Sequence, residues 1–93
     1  MYDNVYLGKM LINLDMSEIW DDAVKVNRFF DINPDLHEWL RANIISFCDD
    51  RVYPITETYR TYAEISFHLS LSSSDAILWR LRPDGMVAVA LEL

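Results

Sequence analysis

The residues of this 93-residue chain best suited to catalysis are its two histidines, His37 and His68. His68 stands between Ser66 and Ser70, and a serine paired with a histidine is the centre of many hydrolytic sites. Residues two apart on a strand do not form a triad, and no glycine elbow surrounds either serine. We therefore predict that His68 is structural and that the chain is not an enzyme.

Metal-binding and phosphate-binding motifs are incomplete. His37 lies beside Asp35 and Glu38, but no second set of ligands matches them. The segment from Asp31 begins like a calcium loop, yet it lacks the glycine and the glutamate that such a loop needs. Two glycines are too few for a phosphate-binding loop, and Cys48 is the only cysteine. The sequence thus predicts no metal and no cofactor, with Cys48 as a small buried residue.

Charge is the strongest functional signal. The net charge is −7, and residues 1–50 hold ten acidic side chains against four basic ones. This balance disfavours direct binding to nucleic acid or to an anionic membrane, whose phosphates attract Lys and Arg. Carboxylates can instead imitate those phosphates and occupy a basic surface of a protein partner, although an ordinary solvated face is the alternative. The predicted partner-binding residues, seven acids and one exposed aromatic anchor, are Glu18, Trp20, Asp21, Asp22, Asp35, Glu38, Asp49 and Asp50.

Nothing in the sequence directs the chain to a membrane or to export. Its first residues, MYDNVYLGK, lack a basic region followed by an apolar run, and its apolar runs are too short to span a bilayer. A single cysteine fits a reducing compartment. We expect a cytoplasmic protein with one domain over residues 1–93.

The segment Ala63–Leu71, AEISFHLSL, organises the predicted fold. Apolar and polar residues alternate throughout, and successive side chains of a strand point to opposite faces. We interpret it as a strand with one face on the core and one polar face. A further strand is predicted over Met10–Leu14, with residues 1–9 as its extension or as an arm. An edge strand or extended loop is predicted over Arg51–Arg60, because Pro54 cannot donate to a central ladder.

Two long helices should cover the apolar face of that strand. Asp15 is the predicted N-cap of a helix over Met16–Phe30, with Ser17 as the competing cap, because apolar residues follow at helical spacing. Asn33 and Pro34 suit the start of a second helix. We predict that this helix runs to about Cys48, or stops earlier because two aspartates follow where the helix dipole favours cations.

The last third of the chain permits two interpretations. Over Ala76–Arg82 a strand is compatible with the alternation, but Ser74 or Asp75 as the cap of a run of good helix formers favours a short helix. Met86–Leu93 is apolar on both faces and predicts a strand that is central in the sheet, or whose edge is covered by a second copy of the chain. The residues predicted to form such a homodimer contact are Val87, Val89 and Leu91.

Together these elements predict an α+β fold. It consists of a small, mainly antiparallel sheet of three or four strands, with a helical hairpin and a short third helix packed on one face.

The segment Phe67–Arg82, FHLSLSSSDAILWRLR, resembles a stretch of small bacteriophage-encoded proteins. In those proteins a short strand leads into Asp-Ala, two apolar residues, an aromatic residue, a basic residue and Leu, which correspond here to residues 75–81. A Trp-Gly pair often follows there, whereas this chain has Arg82-Pro83. The resemblance implies a phage or mobile-element origin, and it carries no catalytic residue.

The preferred functional hypothesis is a non-enzymatic, acidic protein-binding module. In its sharper form it is a phage-type inhibitor, similar to anti-CRISPR proteins or DNA mimics, that presents acidic helix faces to a host nucleic-acid-binding or defence protein. The alternative is a structural or assembly protein that self-associates through its C-terminal strand. A third hypothesis is an enzyme that uses His68 with a neighbouring carboxylate.

Overall fold

The chain forms one open four-stranded sheet with three helices, seen in a computed structural model that describes residues 2–13, 20–83 and 88–91. The α+β architecture with a helical hairpin is the one that the sequence predicts. The elements in chain order are β1 (Tyr2–Asn13), α1 (Asp22–Ile32), α2 (Pro34–Asn43), a 3-10 turn (Asp49–Arg51), β2 (Val52–Thr58), β3 (Tyr62–Ser72), α3 (Ser73–Arg80) and β4 (Ala88–Leu91).

The order of strands in the sheet is β2-β3-β1-β4. β3 is central and runs antiparallel to both β1 and β2. β4 runs parallel to β1 and lies at the edge of the sheet. The predicted central position of the C-terminal strand is therefore wrong, because β1 occupies that place.

The alternating segment predicted as a strand is β3, and its apolar face is the centre of the core. Every apolar side chain from Ala63 to Leu71 is fully buried, and the residues between them are partly buried. The Phe67 ring stacks on Phe29 of α1 with 4.2 Å between ring centroids. The other helical residues in this core are Val26, Phe30, Leu36, Leu40, Ala76 and Trp79.

A bulge keeps the apolar side chains of β1 on the same core. The pairing register with β3 shifts at Leu7, between Tyr6 and Gly8. Gly8 has a φ of 156°, which glycine adopts without steric cost. Because Leu7 is the extra residue, Val5 and Leu7 itself are buried, and so are Met10 and Ile12 after the bulge.

The first helix begins later than predicted. α1 starts at Asp22, and the Asp21 carboxylate caps it by accepting a hydrogen bond from the Val24 amide at 2.8 Å. Trp20 and Asp21 precede the helix, so the predicted start at Met16 is wrong, and the predicted cap Asp15 lies outside the described residues. Asp15 and Asp21 are both followed by apolar residues at helical spacing, so the local pattern does not rank them as caps.

The second helix begins as predicted, with Pro34 in its first turn, and it stops at Asn43. The predicted end near Cys48 is wrong, and the earlier stop before the acidic pair is correct. Ile44 continues the apolar stripe beyond the helix, because it reaches the core from non-helical backbone and is only 2% exposed. Cys48 is exposed, contrary to the expectation that it is buried.

The two ambiguous segments in the C-terminal half resolve as an edge strand and a helix. β2 is an edge strand that contains Pro54, as predicted. The segment after β3 is helical, as preferred, but Ser72 is its N-cap instead of Ser74 or Asp75. Asp75 is buried and accepts a hydrogen bond from the Ser46 hydroxyl, which ties α3 to the segment after α2.

The start of α1 can be tested by replacing Asp21 and Asp22 separately with alanine. Asp21→Ala removes the bond to the Val24 amide and should lower the free energy of unfolding by about 1 kcal/mol in urea titrations. Asp22→Ala should change it little, because better helix propensity offsets the lost interaction with the helix dipole. If the helix began at Met16, Asp21 would be an interior residue and its replacement by alanine would instead raise stability.

Candidate functional site

A groove of about 300 Å³ lies between the start of α1, the 3-10 turn and β2. Asp22 of α1 and Asp49 and Asp50 of the turn line it, and all three are exposed. Val26 and Val52 also line it and are buried, so carboxylates border an apolar base. We call this the acidic groove; its other lining residues are Ala23, Asn27, Tyr53 and Pro54.

The charged side chains that line the acidic groove are all carboxylates. None of the described residues that line it is basic. Lys25 lies in the same turn of α1 as the lining residues, and its ammonium group donates a hydrogen bond to the Thr56 hydroxyl of β2 at 3.0 Å. Several carboxylates close together raise the local concentration of positively charged groups and speed their arrival.

His37 positions the wall of the groove that carries Asp49 and Asp50. Its Nε2 atom lies 2.9 Å from a carboxylate oxygen of Asp49. Its ring stacks on Phe30 at 4.2 Å and meets Phe47 edge-on at 5.9 Å. These contacts connect the 3-10 turn with both long helices, so His37 acts as a positioning residue. Its side chain is partly buried.

The structure brings together only part of the predicted partner-binding set. Asp21 adjoins the groove but uses its carboxylate to cap α1. Asp35 and Glu38 are exposed on α2 and do not line the groove. Trp20 is partly buried and packs against the core, in contrast to the predicted exposed anchor. Glu18 lies outside the described residues.

A row of aromatic rings, absent from the predicted site, crosses the face of the sheet opposite to the core. His68 of β3 pairs in register with Tyr6 of β1 and Tyr53 of β2. Its ring centroid lies 5.6 Å from that of Tyr6 and 5.5 Å from that of Tyr53. Both tyrosines remain substantially exposed, at 51% and 37%. The signal in the sequence was their alternation with buried neighbours on β1 and β2.

The neighbours of His68 in the aromatic row are tyrosine rings. It lies on the polar face of β3, as predicted, and its ring packs between two tyrosines. Within residues 2–13, 20–83 and 88–91, no three His, Cys, Asp or Glu side chains are grouped in a way that could hold a metal ion.

In the hairpin between β2 and β3, Tyr59 has a raised pKa. The Tyr59 hydroxyl donates a hydrogen bond to the Glu57 carboxylate at 2.8 Å, and the Tyr59 ring stacks on Tyr62. This hydrogen bond and the negative charge of Glu57 raise the pKa of Tyr59 from about 10 to about 12. Tyr59 does not line the acidic groove.

The fold and the groove define the class of this molecule as an α+β protein with an acidic groove beside an open sheet face. None of the described helices is long and apolar enough to cross a membrane. Comparisons with models of protein families, with curated proteins and with solved structures find nothing that matches the chain.

The pairing of Tyr59 with Glu57 can be checked by following phenolate absorbance against pH. The part of the absorbance change that belongs to Tyr59 is the part that disappears in Tyr59→Phe, and its midpoint should lie near pH 12. In Glu57→Gln this midpoint should move toward pH 10. Since the folded state holds this proton longer than the unfolded state, the contribution of Tyr59 to stability falls as pH rises from about 10 to about 12. A wild-type Tyr59 component near pH 10, with circular dichroism showing a folded protein, would contradict the assignment.

Proposed function

We propose that the protein is a non-enzymatic binding module that presents the acidic groove to a basic surface of a protein partner. The observation that carries the proposal is the convergence of Asp22 with Asp49 and Asp50, which come from distant parts of the sequence, along one groove. All three are exposed, so a partner can reach them without unfolding any element.

The electrostatic balance supports a partner that normally binds nucleic acid. A surface that binds phosphates is rich in Lys and Arg, and clustered carboxylates offer such a surface the same sign of charge. The excess of acids in residues 1–50 extends the negative field beyond the groove. In its sharper form the proposal is a phage-type inhibitor of a host nucleic-acid-binding or defence protein.

The segment that resembles phage proteins contributes to the scaffold. Residues 67–82 form the second half of β3 and α3, and Asp75 and Trp79 within them are buried. The resembling segment therefore adds no residue to the acidic groove, and the groove residues carry the proposed binding.

Charge reversal at Asp50, with Asp31 as the control, tests the use of the groove. Capture from a bacterial lysate and mass spectrometry would identify a partner, and its purified form would then be titrated with each variant. Asp50→Lys should weaken binding about tenfold at about 0.1 M salt, and less as salt rises further. Asp31→Lys makes the same change in net charge, but Asp31 lies roughly 14 Å along α1 from Asp22, so its effect should be within about twofold.

Equal loss of affinity in the two variants would show that only net charge matters. If neither variant lost affinity, the acidic groove would not be part of the binding surface.

A second candidate function, self-association through the C-terminal strand, is favoured by the position of β4. Among the residues that the structure describes, β4 pairs with β1 alone, so no described strand lies on its other edge, where another strand could pair. Val89 and Leu91 pair in register with Lys9 and Leu11, and Val87 lies outside the described residues.

Sedimentation equilibrium tests this second candidate. A homodimer formed through β4 should dissociate more readily in Val89→Lys, because a charge on an edge strand opposes pairing. A wild-type protein that stays monomeric at the highest accessible concentration would exclude it.

A further inference from the structure

The acidic groove and the aromatic row meet at one residue, Tyr53. Tyr53 lines the groove together with Asp22 and Asp50, and its ring also stacks on His68 in the row. β2 is an edge strand, so no further strand in the described part of the chain separates the groove from the open face of the sheet. The two features therefore form a continuous surface that turns around the edge of the sheet.

We infer that this continuous surface docks an extended segment of the protein partner, with an arginine in the acidic groove and an apolar or aromatic side chain on the row. The inference rests on the proposed function and adds the chemistry of the segment that the partner contributes. Tyr6, at the far end of the row, is the residue that the acidic groove alone would not require.

Arginine fits the groove better than lysine. Its planar guanidinium can form paired hydrogen bonds with a carboxylate of Asp22 or Asp50 and can stack on the ring of Tyr53. Its hydrocarbon stem would lie along the buried base of the groove, near Val26 and Val52. A lysine offers a point charge that cannot make the paired or stacked contacts.

The row suits an apolar or aromatic side chain of the same segment. Tyr6 and Tyr53 expose ring surface on either side of His68, and Ile55, two residues after Tyr53 on β2, is 48% exposed. Exposed aromatic rings could also stack on nucleic-acid bases, but the carboxylates of the adjoining groove repel phosphates. The occupant favoured by both features is therefore a protein segment.

The spacing within the segment follows from the geometry of the sheet. Tyr6 and Tyr53 lie two strands apart, roughly 10 Å, because neighbouring strands are about 4.8 Å apart. Side chains on one face of an extended segment are roughly 7 Å apart at two residues and roughly 13 Å apart at four. The arginine and the apolar side chain should thus be separated by one to three residues.

Capped peptides of glycine that contain one arginine and one tryptophan, separated by one or by three glycines, are suitable probes. Matched peptides replace the arginine with lysine or the tryptophan with alanine. Chemical shifts of the backbone amides of the isotope-labelled full chain report both affinity and location. The arginine–tryptophan peptide of better spacing should bind about threefold more tightly than either matched peptide.

Three variants distinguish peptide binding in the acidic groove from peptide binding on the aromatic row. Tyr6→Thr keeps a good strand former and should abolish the advantage of tryptophan over alanine. Tyr59→Thr changes another exposed tyrosine, which lies outside the surface, and should leave that advantage intact. Asp50→Lys should weaken every arginine peptide, and the amide spectrum confirms in each case that the variant is folded.

Each further outcome counts against a specific step. If arginine peptides bind the groove and lose affinity in Asp50→Lys, but tryptophan adds nothing, the inference is wrong and the proposed function stands. If Asp50→Lys leaves all peptides unaffected, the use of the groove is itself wrong. If no peptide shifts the spectrum, the inference is overturned. If the wild type dimerises and Tyr6→Thr does not, the open face binds a second copy and the inference is likewise overturned.

Discussion

The burial of one face of β3 is the constraint on which the rest of the structure depends. Five apolar side chains of this strand are fully excluded from solvent, with Phe67 at their centre against Phe29. Burying a side chain of this size contributes roughly 1.5–3 kcal/mol, while a whole domain is stable by only about 5–15 kcal/mol. Exposing this face would therefore cost most of the stability of the domain, so the helices must cover it.

Covering that face with all three helices determines the two surfaces that remain. The opposite face of the sheet is left open, with Ser66, His68 and Ser70 on its central strand and tyrosines on either side. At the edge of the sheet formed by β2, the start of α1 and the 3-10 turn lie beside β2, and the acidic groove forms between these three elements. The proposed binding surface is thus made mostly of side chains outside the core, with the core residues Val26 and Val52 at the base of the groove.

The sequence predicts the fold wherever one local pattern is unambiguous. The alternation in Ala63–Leu71 identifies β3. Two interpretations stayed open over Arg51–Arg60 and over Ala76–Arg82, where the structure has an edge strand and a helix whose cap is Ser72 instead of Ser74 or Asp75. The predictions fail where two local signals are equivalent or where packing decides. Asp15 and Asp21 are both good caps, and an apolar stripe continues through Ile44 although the helix has ended.

Long-range geometry also limits what the sequence indicates about the site. The place of β4 beside β1 depends on pairing between opposite ends of the chain, to which local spacing is blind. The acidic residues were predicted as one array, but only tertiary packing selects Asp22, Asp49 and Asp50 as neighbours. The aromatic row was missed because Tyr6, His68 and Tyr53 are brought together only by the register of three strands.

The shape of the acidic groove and its charge depend on different residues. Val26, Val52 and the stacked ring of His37 set the shape, and they belong to the core or rest against it. Asp22 and Asp50 supply charge from exposed positions. Changes in the exposed carboxylates therefore alter the electrostatic field while the packing stays the same, whereas a change at His37 would move Asp49 and the turn that carries it. Because of this separation, loss of binding can be distinguished from loss of folding.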